Sequence, residues 1–169
     1  MIELKRLSIN DGQDVYEMLQ AIPKEENGLI NSANGLTYDE FKNWLIKKHN
    51  DSLQEGLVDG WKVPQTTYFL YVDGVPVGLG NLRHFLTDAL RQQGGHIGYA
   101  IAPDYRGKGY GKAILKLLLQ EANKMGIDKA LVTTYLDNYR SMNVAIANGG
   151  VITSKMNERV QIWIDTNKW

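Results

Sequence analysis

Cysteine is absent from the sequence, which excludes disulfides, thiolate metal sites and a cysteine nucleophile in one stroke. No metal chemistry is expected. Neither sign of charge prevails, because nineteen Lys and Arg residues face nineteen Asp and Glu residues. No global field draws the protein onto nucleic acid or an anionic membrane, so any anion site has to be local. Apolar runs are short, and none approaches the roughly 20 residues of a membrane span. Glu3, Lys5 and Arg6 also interrupt the first apolar stretch before it could form the core of a signal peptide. These absences together lead to the expectation of a cytoplasmic protein with no nucleic-acid or membrane partner. The rest of the composition is ordinary, with 43% hydrophobic and 22% charged residues among 169. That length suits one domain over residues 1–169 with a self-sufficient core.

The pattern along the chain alternates between strand and helix signals. Ile2, Leu4 and Leu7 suggest a first strand, and Asp11 is placed to cap a helix carrying Val15, Met18, Leu19 and Ile22. Residues 24–36 read as a polar loop, and Thr37 with Glu40 forms a capping box ahead of Phe41, Trp44, Leu45 and Lys48. Residues 66–72 and 75–82 are strands joined at Asp73-Gly74, a hairpin turn signal. A strand over 96–102, an amphipathic helix over 111–125 and a strand over 129–135 follow. A helix over 139–148, capped by Asn138, and a closing strand pair over 151–155 and 159–164 complete the order. This order predicts a mixed α/β fold with helices packed on a sheet.

The most informative segment lies between the strand at 96–102 and the amphipathic helix. It reads Arg106-Gly107-Lys108-Gly109-Tyr110-Gly111-Lys112. The first turn of a helix leaves N–H groups unpaired, and its dipole favours an anion by about 0.3–1 kcal/mol. Glycine at 107, 109 and 111 lets the backbone approach a phosphate closely. The dinucleotide fingerprint fails because Lys112 stands where its last glycine belongs. The triphosphate loop fails on spacing and because Ala113 follows Lys112.

The segment resembles the Q/R-x-x-G-x-G/A signature of the GNAT superfamily of N-acetyltransferases. Asp137-Asn138-Tyr139-Arg140-Ser141 and Asn148-Gly149-Gly150 fall downstream where that family places its elements. Gly94-Gly95-His96-Ile97-Gly98-Tyr99 and Gln161-Ile162-Trp163-Ile164 resemble a branch of mostly uncharacterised bacterial members. The resemblance implies a single-domain GNAT-like α/β fold, with a mixed, mostly antiparallel sheet splayed between its fourth and fifth strands and helices on both faces. It implies acetyl-CoA in that splay, with Ile101 and Ala102 along the pantetheine arm and the backbone of Arg106, Gly107, Lys108, Gly109, Tyr110, Gly111 and Lys112 on the pyrophosphate. Asn138 and Ser141 would also meet the cofactor. The implied reaction moves an acetyl group to a primary amine of a small-molecule or peptide acceptor, and a homodimer is compatible with the likeness.

The family's glutamate on the fourth strand is missing here, and its tyrosine on the last helix is replaced by Ala145. His96 and His84 are therefore the candidate bases, because an imidazole with a pKa near 6.5 accepts a proton at neutral pH. Tyr135, at the end of its strand, is the candidate acid for the departing thiolate. Two other readings stand beside this one: a catalytically silent acyl-CoA-binding module, suggested by the missing pair, and a nucleotide-binding regulatory domain using the same turn.

Overall fold

The computed structural model describes residues 1–167. The chain runs β1 (Ile2–Arg6), α1 (Gln13–Ala21), β2 (Glu25–Glu26), β3 (Leu29–Ile30), α2 (Tyr38–Ser52), β4 (Gln65–Val72) and β5 (Val75–Arg83). It continues with α3 (Asp88–Gln92), β6 (Ile97–Ile101), a 3-10 turn (Pro103–Tyr105), α4 (Tyr110–Lys124), β7 (Lys129–Tyr135), α5 (Tyr139–Ala147), β8 (Val151–Met156) and β9 (Arg159–Asp165). This is a mixed α/β fold. The strands divide into a four-stranded sheet, β1-β4-β5-β6, and a three-stranded sheet, β7-β9-β8. Every pairing within both is antiparallel.

Two cores flank the first sheet because its strands alternate side chains between faces. On one face Tyr68, Leu70, Val77, Ile97 and Ile101 pack with Ile114, Leu115, Leu118 and Leu119 of α4, and the same core extends to Val132, Met142 and Ile162. On the other, Phe69, Leu79 and Ala100 pack with Val15 and Leu19 of α1 and Phe41 and Leu45 of α2. The apolar stripe of α4 is thus close to the sequence reading. Met125, expected on it, is 39% exposed where the helix ends.

Two local expectations need correction. Asp11 does not cap α1; its carboxylate accepts the Ser8 N–H at 2.8 Å, and Gly12 holds the N-cap with no side-chain bond. Residues 24–36 are not simply a loop, since β2 and β3 form a small antiparallel hairpin there. Its turn is Asn27-Gly28, with φ of 51° and 90°, the left-handed pair that a tight hairpin requires. The Thr37 capping box forms as read, with Glu40 N–H donating to Thr37 Oγ1 at 3.2 Å and Thr37 N–H to Glu40 Oε1 at 2.8 Å.

Candidate active site

The site lies where the two sheets part. β6 pairs with β5 along one edge, and its other edge faces β7, which belongs to the second sheet. The two edges approach at one end, where Gly94 N–H donates to Thr133 Oγ1 at 2.9 Å and His96 meets Leu131. His96 N–H donates to Leu131 O at 2.8 Å, and Leu131 N–H donates to the His96 imidazole Nδ1 at 2.9 Å. Gly95 makes this approach possible, because a Cβ there would lie 2.4 Å from Leu131 O. Beyond that point the strands diverge, and a cavity of about 990 Å³ occupies the wedge. Ile97, Tyr99 and Ile101 line it from the α4 side of β6, and Gly98 and Ala100 from the α2 side. The cavity therefore passes from one face of the first sheet to the other.

On the α4 side the wedge ends at the glycine-rich turn. Gly107 and Gly109 have φ of 78° and 84°, in the left-handed region where glycine carries no Cβ penalty. Gly109 is the N-cap of α4, and no side chain caps that end. The helical ladder begins with Ala113 N–H to Gly109 O at 3.2 Å, so the amides of Tyr110, Gly111 and Lys112 have no intrahelical acceptor. All three residues line the cavity. Charge at the turn is distributed differently from the sequence reading. The Arg106 guanidinium is ion-paired with Glu26 of the β2–β3 hairpin, and its Nε donates to Ile101 O at 3.0 Å. Lys112 lines the cavity, whereas Lys108 is exposed outside it.

Across the wedge, β7 and α5 present polar atoms that lack partners. Asn138 Oδ1 accepts the Ser141 N–H at 3.2 Å and so caps α5, while its Nδ2 is buried and unbonded. Thr134 Oγ1 is likewise buried and unbonded. Both residues line the cavity. Buried polar atoms without partners are rare in folded proteins, and with Glu26 Oε2 three residues in the wall of one cavity carry them, which fits a ligand that supplies missing bonds. Tyr99 reaches from β6 toward the same corner. Burial pushes its hydroxyl up to about 12, against the opposing effect of hydrogen bonding with the Ser141 side chain.

Of the sequence candidates for cofactor contact, Ile101, Arg106, Gly107, Gly109, Tyr110, Gly111, Lys112, Asn138 and Ser141 all border this cavity. Ala102 does not, because alternation turns its backbone toward β5, where its N–H is bonded to Val77 O at 2.8 Å. None of the three catalytic candidates lines the cavity. The His96 ring already accepts a hydrogen bond at Nδ1, and burial, then Arg83 and Arg91, push its pKa down to about 4. Protonation at Nδ1 would break the bond to Leu131, so the fold favours the neutral ring here. The His84 Nε2 meets Thr66 Oγ1 at 2.8 Å, and burial, then Arg6, lower its pKa too. Tyr135 has the Arg159 guanidinium over its ring at 3.7 Å. Tyr99 and Thr134 were missed by the sequence reading. Period-2 alternation puts Tyr99 beside Ile97 and Ile101, a signal that could have found it.

The chain belongs to the GNAT acetyltransferase family: the profile described as "Acetyltransferase (GNAT) family" matches residues 31–148, more than half of the sequence. Solved structures share the fold at low identity. The Campylobacter jejuni N-acetyltransferase PseH, in complex with acetyl coenzyme A, is 13% identical, with a TM-score of 0.63 over 98% of this chain and 99% of that one. The putative acetyltransferase yncA from Salmonella typhimurium, with its cofactor acetyl-CoA, is 14% identical, with a TM-score of 0.65 over 99% and 95%. Mutant forms of the spermidine/spermine N-acetyltransferase SpeG from Vibrio cholerae are 14% identical, with a TM-score of 0.63 over 99% and 96%. No curated protein matches the sequence. Among the described residues no cluster of His, Asp and Glu could hold a metal ion, and no helix is long and apolar enough to cross a membrane.

Proposed function

We propose that this chain transfers the acetyl group of acetyl-CoA to a primary amine, with the thioester held in the wedge between β6 and β7. The observation that carries this reading is the meeting of an uncapped helix start with the unpartnered buried polar atoms of Asn138 and Thr134 in one cavity. The amides of Tyr110, Gly111 and Lys112 would bind the pyrophosphate, aided by the α4 dipole. Asn138 Nδ2 and Thr134 Oγ1 would serve the pantetheine arm. Acetyl-CoA supplies an activated acyl carbon, which the amine attacks as the carbon–sulfur bond breaks and a carbon–nitrogen bond forms.

The amine must lose one proton and the thiolate must gain one. Neither histidine is placed to take the first, so we assign it to water entering from the open side of the cavity. For the second we assign Tyr99 in place of Tyr135, because Tyr99 lines the wedge and its hydroxyl keeps its proton at neutral pH. Calorimetry with acetyl-CoA and an amine screen monitoring thiol release test the reading together. Micromolar CoA binding with turnover of some amine is expected. Binding without turnover of any amine would leave the silent acyl-CoA-binding module, and preference for ATP over CoA would overturn both.

A further inference from the structure

On the α2 side of the first sheet the cavity opens into a second lobe. Lys48 of α2, Lys62 in the following loop and Arg83 at the end of β5 line it. Among the described residues none of these three is ion-paired. Lys48 and Lys62 instead lie over the rings of Trp44 and Trp61, at 5.9 and 4.8 Å. Arg83 donates through Nη1 to Gly94 O and Gly95 O, at 3.2 and 3.1 Å, which fixes its guanidinium on the loop before β6.

Each of the two acids that line the cavity has a cation partner, although Glu26 Oε2 is buried and without a hydrogen bond. Asp51 binds Lys47 Nζ at 2.9 Å, and Glu26 pairs with Arg106. Positive charge in the lobe is thus in excess although the chain as a whole is neutral. Burial lowers the pKa of Lys48 and of Arg83; on Lys48 the nearby Asp51 opposes this, and the charges of Lys62, Lys47 and Arg83 add to it. Lys48 and Arg83, partly buried and without an anionic partner, are stabilised when an anion joins them, and the exposed Lys62 stands beside them.

We infer that the acetyl acceptor is a small amine that also carries an anionic group, a carboxylate or a phosphate, seated on Lys48, Lys62 and Arg83. This rests on the acetyl-transfer reading above. The same field disfavours polyamines, and it lowers the pKa of a bound ammonium group, which delivers the amine neutral without a dedicated base. The spermidine/spermine enzyme that shares the fold is therefore no guide to this acceptor.

The test is a comparison of kcat/KM for matched acceptors in the presence of acetyl-CoA: amino acids, aminoalkyl phosphates, the corresponding simple alkylamines and spermidine. Expected is at least a tenfold preference for an anionic acceptor over its uncharged-tail counterpart, with the carboxylate and phosphate arms deciding which anion is used. Lys62→Gln should lower kcat/KM for the preferred acceptor by about tenfold, as loss of one charged hydrogen bond does, lower alkylamine turnover by clearly less, and leave calorimetric CoA affinity unchanged. A merely structural role for Lys62 would lower all acceptors alike. Simple amines or spermidine used as well as anionic ones, with CoA bound normally, would overturn this inference and leave the acetyl-transfer reading intact. If no amine in the panel turns over, calorimetry on CoA-saturated protein decides: no binding of any amino acid or aminoalkyl phosphate overturns the inference as well.

Discussion

His96 and Leu131 are joined twice, amide to carbonyl and amide to imidazole, and these two bonds close the narrow end of the wedge. The imidazole there replaces a backbone carbonyl, which sets both its tautomer and its charge. With Nδ1 accepting, the ring proton sits on Nε2 and the group is neutral.

Acid sensitivity follows from that arrangement. The folded pKa of His96 is pushed down to about 4 from an ordinary 6.5, so between those values the unfolded chain binds the proton and the folded chain does not. Stability from this group is complete above about pH 6.5 and is lost as the pH falls toward 4, by up to ~3 kcal/mol. Urea denaturation at pH 4.5 and 7.5 should show the loss, with His84 adding in the same direction. His96→Ala should flatten the His96 part of it while costing about 1–3 kcal/mol at pH 7.5, because Leu131 N–H loses its acceptor. An unchanged acid response in the variant would show that the imidazole is not the sensor.

At the other end of the wedge, Gly109→Asp places a side chain and a negative charge at the left-handed N-cap of α4. A Cβ at this position meets nothing within 4 Å, so the fold should survive, with about 1–2 kcal/mol lost to the backbone conformation. Calorimetric affinity for CoA should fall by roughly 100-fold or more, since charge and bulk enter the anion site. Undiminished affinity in a folded variant would remove the turn from the binding site.

Asn138 carries two separable tasks. Asn138→Asp keeps the oxygen that caps Ser141 N–H but loses the free Nδ2 donor, so stability should hold while CoA affinity drops about tenfold. Asn138→Ala should lose affinity and about 1 kcal/mol of stability together. Equal affinity in wild type and Asn138→Asp would mean that Nδ2 faces no ligand.

Tyr99→Phe removes a proton donor inside the wedge, and kcat should fall by roughly 100-fold with CoA affinity nearly intact. Tyr135→Phe serves as the comparison, because its ring packs under Arg159 outside the cavity, and its kcat should stay near wild type. Steady-state kinetics with one good acceptor distinguish them, and a large effect at Tyr135 alone would restore the assignment drawn from chain position.

Much of this molecule was legible before its coordinates. The glycine turn, the stripe of α4 and the Asn138 cap are local signals, dictated by residues within a few positions of one another. Tyr135 and His96 lie outside the cavity, which sequence does not show: it gives their distance along a strand but not what each packs against, nor that His96 Nδ1 would be taken by a residue 35 positions away. The grouping of Lys48 and Lys62 with Arg83 could not be assembled from sequence for the same reason: its members come from a helix, a loop and a strand that meet only in the folded chain. The β2–β3 hairpin is the exception, since Asn27-Gly28 announced it and its short strands concealed it.

His96 and Gly94, just ahead of β6, are bonded to β7 through Leu131 O and Thr133 Oγ1, and among the described residues no ladder continues from β6 to β7 beyond them. The edges of β6 and β7 that line the wedge are thus unpaired by each other, so a cosubstrate seated between them displaces no strand-to-strand hydrogen bond and costs neither sheet its register.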